Sequence, residues 1–248
     1  MRNAFLFVLS VLSASALTPS LYAQQTVTLT AQDGVKVFGT YYPASNASAP
    51  IILLFHQAGS NRWEYAPITP ALNSANFSAL AIDARHGGDM WGRENETVVR
   101  LGHEGNYLES LVDLEAALAW ARKQNPSRKV IVWGSSYSAC LVFLLAAKHP
   151  GEIVCLLSFS PAEYFQNKSL VHDAAAKVNI PVFITSAKDK EEEESARSIF
   201  NVSADQKDSV LFVPRIAGVH GSSTLREDRN PQGAAENWAA VLAFLKQF

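Results

Sequence analysis

This sequence predicts an α/β fold built on a mostly parallel sheet, and three observations predict it. Short apolar, β-branched runs alternate with longer segments of helical pattern from about residue 50 onward. Each run ends where a loop containing Gly, Ser, Asp or His begins, which is where open α/β sheets gather their functional groups. One run, Lys129–Trp133, leads through Gly134-Ser135-Ser136-Tyr137-Ser138 directly into an apolar helical pattern, a strand–turn–helix junction with small residues at the turn.

Thr26–Thr30 and Val35–Tyr42 read as an opening antiparallel pair, because Asp33-Gly34 between them is a hairpin signal. The buried strands expected next are Ile51–Phe55, Ser78–Ile82, Lys129–Trp133, Ile153–Phe159, Pro181–Ser186 and Ser209–Val213. Between them, helices are expected over Tyr107–Lys123, Tyr137–Lys148, Glu191–Phe200 and Pro231–Lys246, the last opened by a proline suited to a first turn. Residues 62–75 are helical in pattern but are interrupted by Pro67 and Pro70. The run Glu191–Glu194 reads as a solvated first turn favoured by the helix dipole.

At 248 residues, 48% hydrophobic and 18% charged, the chain suits one domain with a large core. Arg2, the apolar stretch Ala4–Leu12 and the small residues ending at Ala23 predict a signal peptide over residues 1–23, followed by a single domain over 24–248. The apolar stretch turns to Ser, Thr and Pro too early for a membrane span, so export to a secreted or periplasmic location without stable membrane insertion is expected. With 21 basic and 23 acidic residues and no basic stripe, nothing points to nucleic acid. The two cysteines, Cys140 and Cys155, lie in apolar segments and read as buried thiols, a disulfide being the alternative in an oxidising compartment.

The pentapeptide Gly134–Ser138 supplies a candidate nucleophile. A serine on a strained strand-to-helix turn needs small residues two before and two after it. Gly134 and Ser138 meet that need for Ser136, whereas Ser135 would place Trp133 and Tyr137 at the tight positions. A hydroxyl nucleophile needs a base, and the base needs an orienting acid. His220, on the loop Ala217–Ser222 after the last expected strand, is the candidate base. Asp189, after Pro181–Ser186, is the candidate acid, with Glu163 one strand earlier as its competitor. For the oxyanion of a tetrahedral intermediate, the backbone N–H groups of Tyr137 and Ala58 are the candidates, with Gln57 second to Ala58. His56 reads as a residue that pins this loop. His86, Asp89 and His103 lack a recognised metal-ligand spacing, so no metal is expected.

These residues together resemble the α/β-hydrolase superfamily from about Val35 to the C-terminus. His56-Gln57-Ala58-Gly59 is similar to the H-G-x-G oxyanion loop, with Gln in place of the first Gly, and Asp83-Ala84-Arg85-His86-Gly87-Gly88 is similar to a D-x-R-G-x-G segment. The compact size looks most like the dienelactone-hydrolase-like and small secreted esterase branches. The resemblance implies a central, mostly parallel sheet with helices on both faces and a Ser136–Asp189–His220 triad. It further implies hydrolysis of a small-molecule carboxylic ester through an acyl-enzyme, without a cofactor. A peptidase, thioesterase or acyltransferase could use the same residues, and a noncatalytic binding protein of this fold is the alternative of a different class. Only about 20 residues separate Phe159 from Pro181, too few for a large cap.

Overall fold

The computed structural model describes residues 24–203 and 207–248, so the expected signal segment lies outside the described residues. Eight strands form one sheet: β1 (Gln25–Thr30), β2 (Lys36–Tyr42), β3 (Ile51–Phe55), β4 (Ser78–Ile82), β5 (Val130–Ser135), β6 (Cys155–Phe159), β7 (Val182–Thr185) and β8 (Val210–Phe212). Their spatial order is β1-β2-β4-β3-β5-β6-β7-β8. The first two strands pair antiparallel, β2 joins β4 antiparallel, and every later pairing is parallel.

Burial on both faces explains the unbroken apolar runs in the central strands. Alternate residues of a strand point to opposite faces. Ile51, Leu53, Phe55, Val130 and Val132 enter one core, while Ile52, Leu54, Ile131 and Trp133 enter the other. The first core is covered by α3 (Leu111–Gln124), α4 (Tyr137–Lys148), α5 (Leu170–Ala175) and α6 (Lys190–Val202). The second is covered by α1 (Thr69–Ser74) and α7 (Ala234–Leu245), with α2 (Glu96–Leu101) lying against β2.

Differences from the sequence expectations have local causes. The segment 62–75 divides into a 3-10 turn, Arg62–Tyr65, and α1, with Pro67 in the break between them and Pro70 in the first turn of α1. The last helix begins at Ala234 rather than Pro231. There Asn230 organises a preceding turn, its Oδ1 accepting the Gly233 N–H at 3.2 Å and its Nδ2 donating to the Thr224 carbonyl at 2.8 Å. The short helix α5 fills the Phe159–Pro181 connection, which has room for a short helical excursion, while α2 lies in a stretch where no helix was expected and at six residues is too short to leave a periodic signal.

Cys140 on α4 and Cys155 on β6 are both buried and free, and they belong to the cores on opposite faces of the sheet. The sheet itself therefore separates them, which removes the disulfide alternative. Burial pushes the Cys140 thiol up to about 12, and burial raises Cys155 as well. Both should resist a soluble disulfide reagent in the native protein and react only on unfolding. Rapid titration of either thiol in the folded state, or a cross-link between them on peptide mapping, would contradict this arrangement.

Candidate active site

Over the carboxyl end of the sheet, β5 ends at Ser135 and α4 begins at Tyr137, leaving Ser136 alone to make the reversal. Its backbone takes φ 59° and ψ −121°, a conformation that side-chain-bearing residues rarely adopt. The turn is this tight because strand and helix nearly touch. A Cβ on Gly134 would lie 2.1 Å from the Ser138 carbonyl oxygen, so glycine is the residue that fits. Ser138, the small residue two after the nucleophile, uses its hydroxyl to bond the His56 carbonyl at 2.7 Å and so joins the nucleophile turn to the end of β3.

Ser136 Oγ lies 2.8 Å from His220 Nε2, as the sequence expects of a nucleophile and its base. His220 Nδ1 lies 2.7 Å from Glu192 Oε1. A carboxylate accepts, so Nδ1 carries the proton and Nε2 is left to accept from the serine hydroxyl. The Glu192 hydrogen bond raises the imidazole above its ordinary value and outweighs the opposing effect of burial. For Glu192, burial works against ionisation, yet the hydrogen bonds from His220, Ser160 and the Ala187 N–H prevail and hold the carboxyl down at about 2.

The acid facing the histidine is thus Glu192, and the expectation of Asp189 is corrected. Asp189 is exposed and caps α6, its Oδ1 accepting from the N–H groups of Glu191 at 3.0 Å and Glu192 at 3.2 Å. Asp189-Lys190-Glu191-Glu192 has the spacing of a capping box, in which the glutamate three residues after the cap points back past the helix start. Glu192 Oε2 does reach back, to the Ala187 N–H at 2.9 Å, and its other oxygen meets His220. That spacing was the available signal, hidden inside a run of four glutamates read as solvated.

Glu163, the competing acid, serves a different histidine. Its carboxylate caps α5, accepting from the N–H groups of Val171 and His172, and lies 2.7 Å from His172 Nδ1. His172 Nε2 in turn lies 2.8 Å from Ser198 Oγ, which makes a second Ser–His–Glu trio with nearly the same distances as the first. Ser198 sits in the interior of α6, where neighbouring backbone N–H groups are spent on the helix ladder. Among the described residues, the backbone beside Ser198 therefore offers this trio no free donor for an oxyanion.

At Ser136 such donors are at hand. Tyr137 is the first residue of α4, where a backbone N–H has no intrahelical acceptor. In the loop after β3, the Gln57 N–H is committed to Glu64 Oε2 at 2.9 Å, which leaves the next N–H, that of Ala58, as the second candidate. His56 pins this loop: Nδ1 bonds the Gln57 carbonyl at 2.8 Å and Nε2 accepts the Ala84 N–H at 3.0 Å. Burial pushes His56 down to about 4, so it is a neutral ring with a fixed tautomer.

The Asp83–Gly88 segment holds the neighbouring wall. Asp83 accepts from the Arg62 N–H at 2.8 Å and from Arg62 Nη1 at 2.5 Å, and Arg85 pairs with Asp113 at 2.7 Å. A Cβ on Gly87 would come within 2.4 Å of the Ser60 carbonyl, so this loop and the oxyanion loop pass in close contact. Asn61 Nδ2 reaches the carbonyls of Gly88, Met90 and Arg93, and Trp91 Nε1 donates to Ser60 Oγ at 2.7 Å. The stretch after β4 is thereby tied down beside the site. Against His86 of this segment, Tyr107 packs edge-on at 4.4 Å, and it stacks on Tyr137 at 4.8 Å and meets Phe165 edge-on.

A family profile described as serine aminopeptidase, S33, matches residues 46–208, more than half of the chain. Among curated proteins, no sequence match is found. Among solved structures, the esterase Pf2001 of Pyrococcus furiosus is 19% identical over 99% of both chains, with a TM-score of 0.67. A dienelactone hydrolase from Anabaena variabilis is 17% identical over 91% of this chain and 98% of its own, with a TM-score of 0.71. A thermostable carboxyl esterase from Bacillus coagulans is 13% identical over the same shares, with a TM-score of 0.69. At these identities the likeness is one of fold. With the profile match spanning strands β3 to β7 and the nucleophile turn, the chain belongs to the serine aminopeptidase S33 family of the α/β-hydrolase superfamily.

Proposed function

We propose that the protein is an exported serine esterase that cleaves small carboxylic esters through an acyl-enzyme on Ser136. The observation that carries this reading is the relay from Ser136 Oγ to His220 Nε2 at 2.8 Å and from His220 Nδ1 to Glu192 at 2.7 Å, set on a strained turn. Ser136 Oγ attacks the ester carbonyl carbon and passes its proton to His220 Nε2, while Glu192 stabilises the imidazolium. The carbonyl oxygen becomes an oxyanion beside the N–H groups of Ala58 and Tyr137. One such donor is worth roughly 100- to 1,000-fold in rate. The tetrahedral intermediate collapses, the C–O bond to the alcohol breaks, and His220 returns the proton to the departing oxygen. Water then repeats the sequence on the acyl-enzyme, releasing the acid and restoring Ser136.

An ester is favoured over the amino-terminal peptide that the family description names, because an aminopeptidase needs a carboxylate free to hold the substrate ammonium. Glu192 and Glu64, the carboxylates bonded to the histidine and to the nucleophile turn, are engaged, the first with His220 and the second with three donors, and Glu163 is engaged with His172. Export rests on the residue 1–23 pattern, and among the described residues no helix is long and apolar enough to cross a membrane. A fluorophosphonate probe followed by peptide mapping tests the reading. The label is expected on Ser136 and not on Ser198, and labelling of neither, with no ester turnover, would remove it.

The acid assignment yields a comparison. Glu192→Gln should lower turnover roughly 1,000-fold or more, as loss of the orienting charge does in such relays. Asp189→Ala should leave turnover near wild type while costing about 1 kcal/mol of stability through the lost cap. The pH profile carries a sign as well. Glu192 stabilises the imidazolium, so the acid limb of kcat/KM should lie above the ordinary histidine value, and it should move to lower pH in Glu192→Gln. A severe Asp189→Ala with a mild Glu192→Gln would return the role to Asp189.

Substrate range follows from the opening. The His220 side chain is 42% exposed, the β6–β7 connection holds only the six-residue α5, and the loop after β4 is anchored by Asn61. Initial rates on esters of increasing acyl length should be greatest for short, soluble substrates and should rise smoothly through the solubility limit. A jump in rate at the emulsion threshold would reveal a moving cover over the site.

A further inference from the structure

Glu64 lies in the 3-10 turn Arg62–Tyr65 and is fully buried, yet the proposed chemistry gives it no step. A buried carboxylate is costly unless its oxygens are satisfied, so its partners are informative. Oε2 accepts from the Gln57 N–H at 2.9 Å and from Ser60 Oγ at 3.2 Å, and Oε1 accepts from Ser135 Oγ at 2.7 Å. Three donors and no acceptor suit the ionised form. The nearby cation, Arg226, binds the Glu64 backbone carbonyl at 3.2 Å, and among the described residues no guanidinium pairs with the carboxylate directly.

The three partners belong to the segments that have to agree in position. Gln57 precedes Ala58, the candidate oxyanion donor. Ser135 immediately precedes Ser136. Its hydroxyl also accepts the Ser222 N–H at 2.9 Å, two residues after His220. The contact is close: a Cβ on Gly221 would lie 2.4 Å from Ser135 Oγ. From the other side of Ser222, Trp133 Nε1 donates to Ser222 Oγ at 2.8 Å, and Tyr65, next to Glu64, donates its hydroxyl to the Phe55 carbonyl at 2.6 Å.

We infer that Glu64 is the positioning residue of this site, its buried carboxylate tying the oxyanion turn, the nucleophile turn and the histidine loop into one unit and holding a negative charge behind His220. This rests on the serine-esterase reading above. The role combines geometry and charge. The hydrogen bonds keep the Ala58 and Tyr137 N–H groups in register with Ser136 Oγ, and the charge favours the imidazolium that forms as Ser136 loses its proton. The charged groups facing His220 are Glu192 from α6 and Glu64 from behind the nucleophile turn, and both raise its proton affinity. Facing Glu64 are Arg226 and the hydroxyl donors Ser135 and Ser60. Burial raises its carboxyl above the ordinary value, and these neighbours offset that only in part.

The test compares purified wild type, Glu64→Gln and Ser135→Ala on a soluble aryl ester across pH, with thermal melts and fluorophosphonate labelling alongside. Glu64→Gln keeps the shape but removes the charge and one acceptor. It should lower kcat on the order of 10- to 100-fold with KM within about twofold, and it should shift the acid limb of kcat/KM to lower pH. Ser135→Ala keeps the charge but cuts the link to Ser222, so kcat should fall with the acid limb in place. Should Glu64→Gln fail to fold, Ser135→Ala decides: lower kcat at an unchanged melting temperature supports the inference, and wild-type kcat overturns it. If both variants fold and match wild type in kcat and pH profile, Glu64 is only a packing residue. If wild type itself neither takes the probe at Ser136 nor turns over the ester, the esterase reading fails and the inference falls with it, an outcome distinct from active, indistinguishable variants.

Discussion

The arrangement depends on the close passage of β5 against α4 at Gly134. With no side chain there, the strand end and the first helical turn approach until the Ser138 carbonyl occupies the space a Cβ would need. Only a single residue can then make the reversal, and Ser136 takes the positive φ that this requires. That strain is held by flanking structure: the Ser136 N–H bonds the Phe159 carbonyl on β6 at 2.8 Å, and Ser138 Oγ bonds the His56 carbonyl. The result is a hydroxyl raised above the sheet at the start of a helix, where unpaired N–H groups favour a developing negative charge.

Around that turn, carboxylates of similar intrinsic acidity are driven apart by their surroundings. Glu192 collects hydrogen bonds from a histidine, a serine and a backbone N–H and is held strongly acidic. Asp83, against Arg62 in a buried pair, is pushed up to about 6 because desolvation outweighs its partner. A buried ion pair of this kind is weak evidence for stability, but it gives directional contacts that a hydrophobic replacement would lack. Here those contacts run from Asp83 to both the N–H and the guanidinium of Arg62 and to the Glu96 N–H, so the segments around the oxyanion loop share one anchor.

The two Ser–His–Glu trios show why a set of distances is not a site. Ser198, His172 and Glu163 repeat the spacing of Ser136, His220 and Glu192. What separates them is backbone. Ser136 sits where a strand becomes a helix and N–H groups stand open, whereas Ser198 is in mid-helix with those groups consumed. Glu163 is occupied with starting α5, as Asp189 is with starting α6. Acidic side chains at helix starts are stabilised there in any fold.

Much of this was legible in the sequence because it rests on local rules. Apolar runs marked the central strands, with Ile51–Phe55 and Ser78–Ile82 matching to the residue, and the small residues flanking Ser136 marked the turn. His220 was legible from its place after the last strand. The identity of the acid was not, because Asp189 and Glu192 differ by less than one helical turn and only the direction of each side chain separates a cap from a partner of His220. Glu64 carried no signal either, since beside its local partners Gln57 and Ser60 it meets Ser135, the link to the nucleophile turn, only when β3 and β5 lie side by side. The chain by itself determined which backbone could form and where a strained serine would stand. The tertiary structure decided which carboxylates face the histidine and the nucleophile turn, because that choice depends on loops brought together from distant parts of the chain.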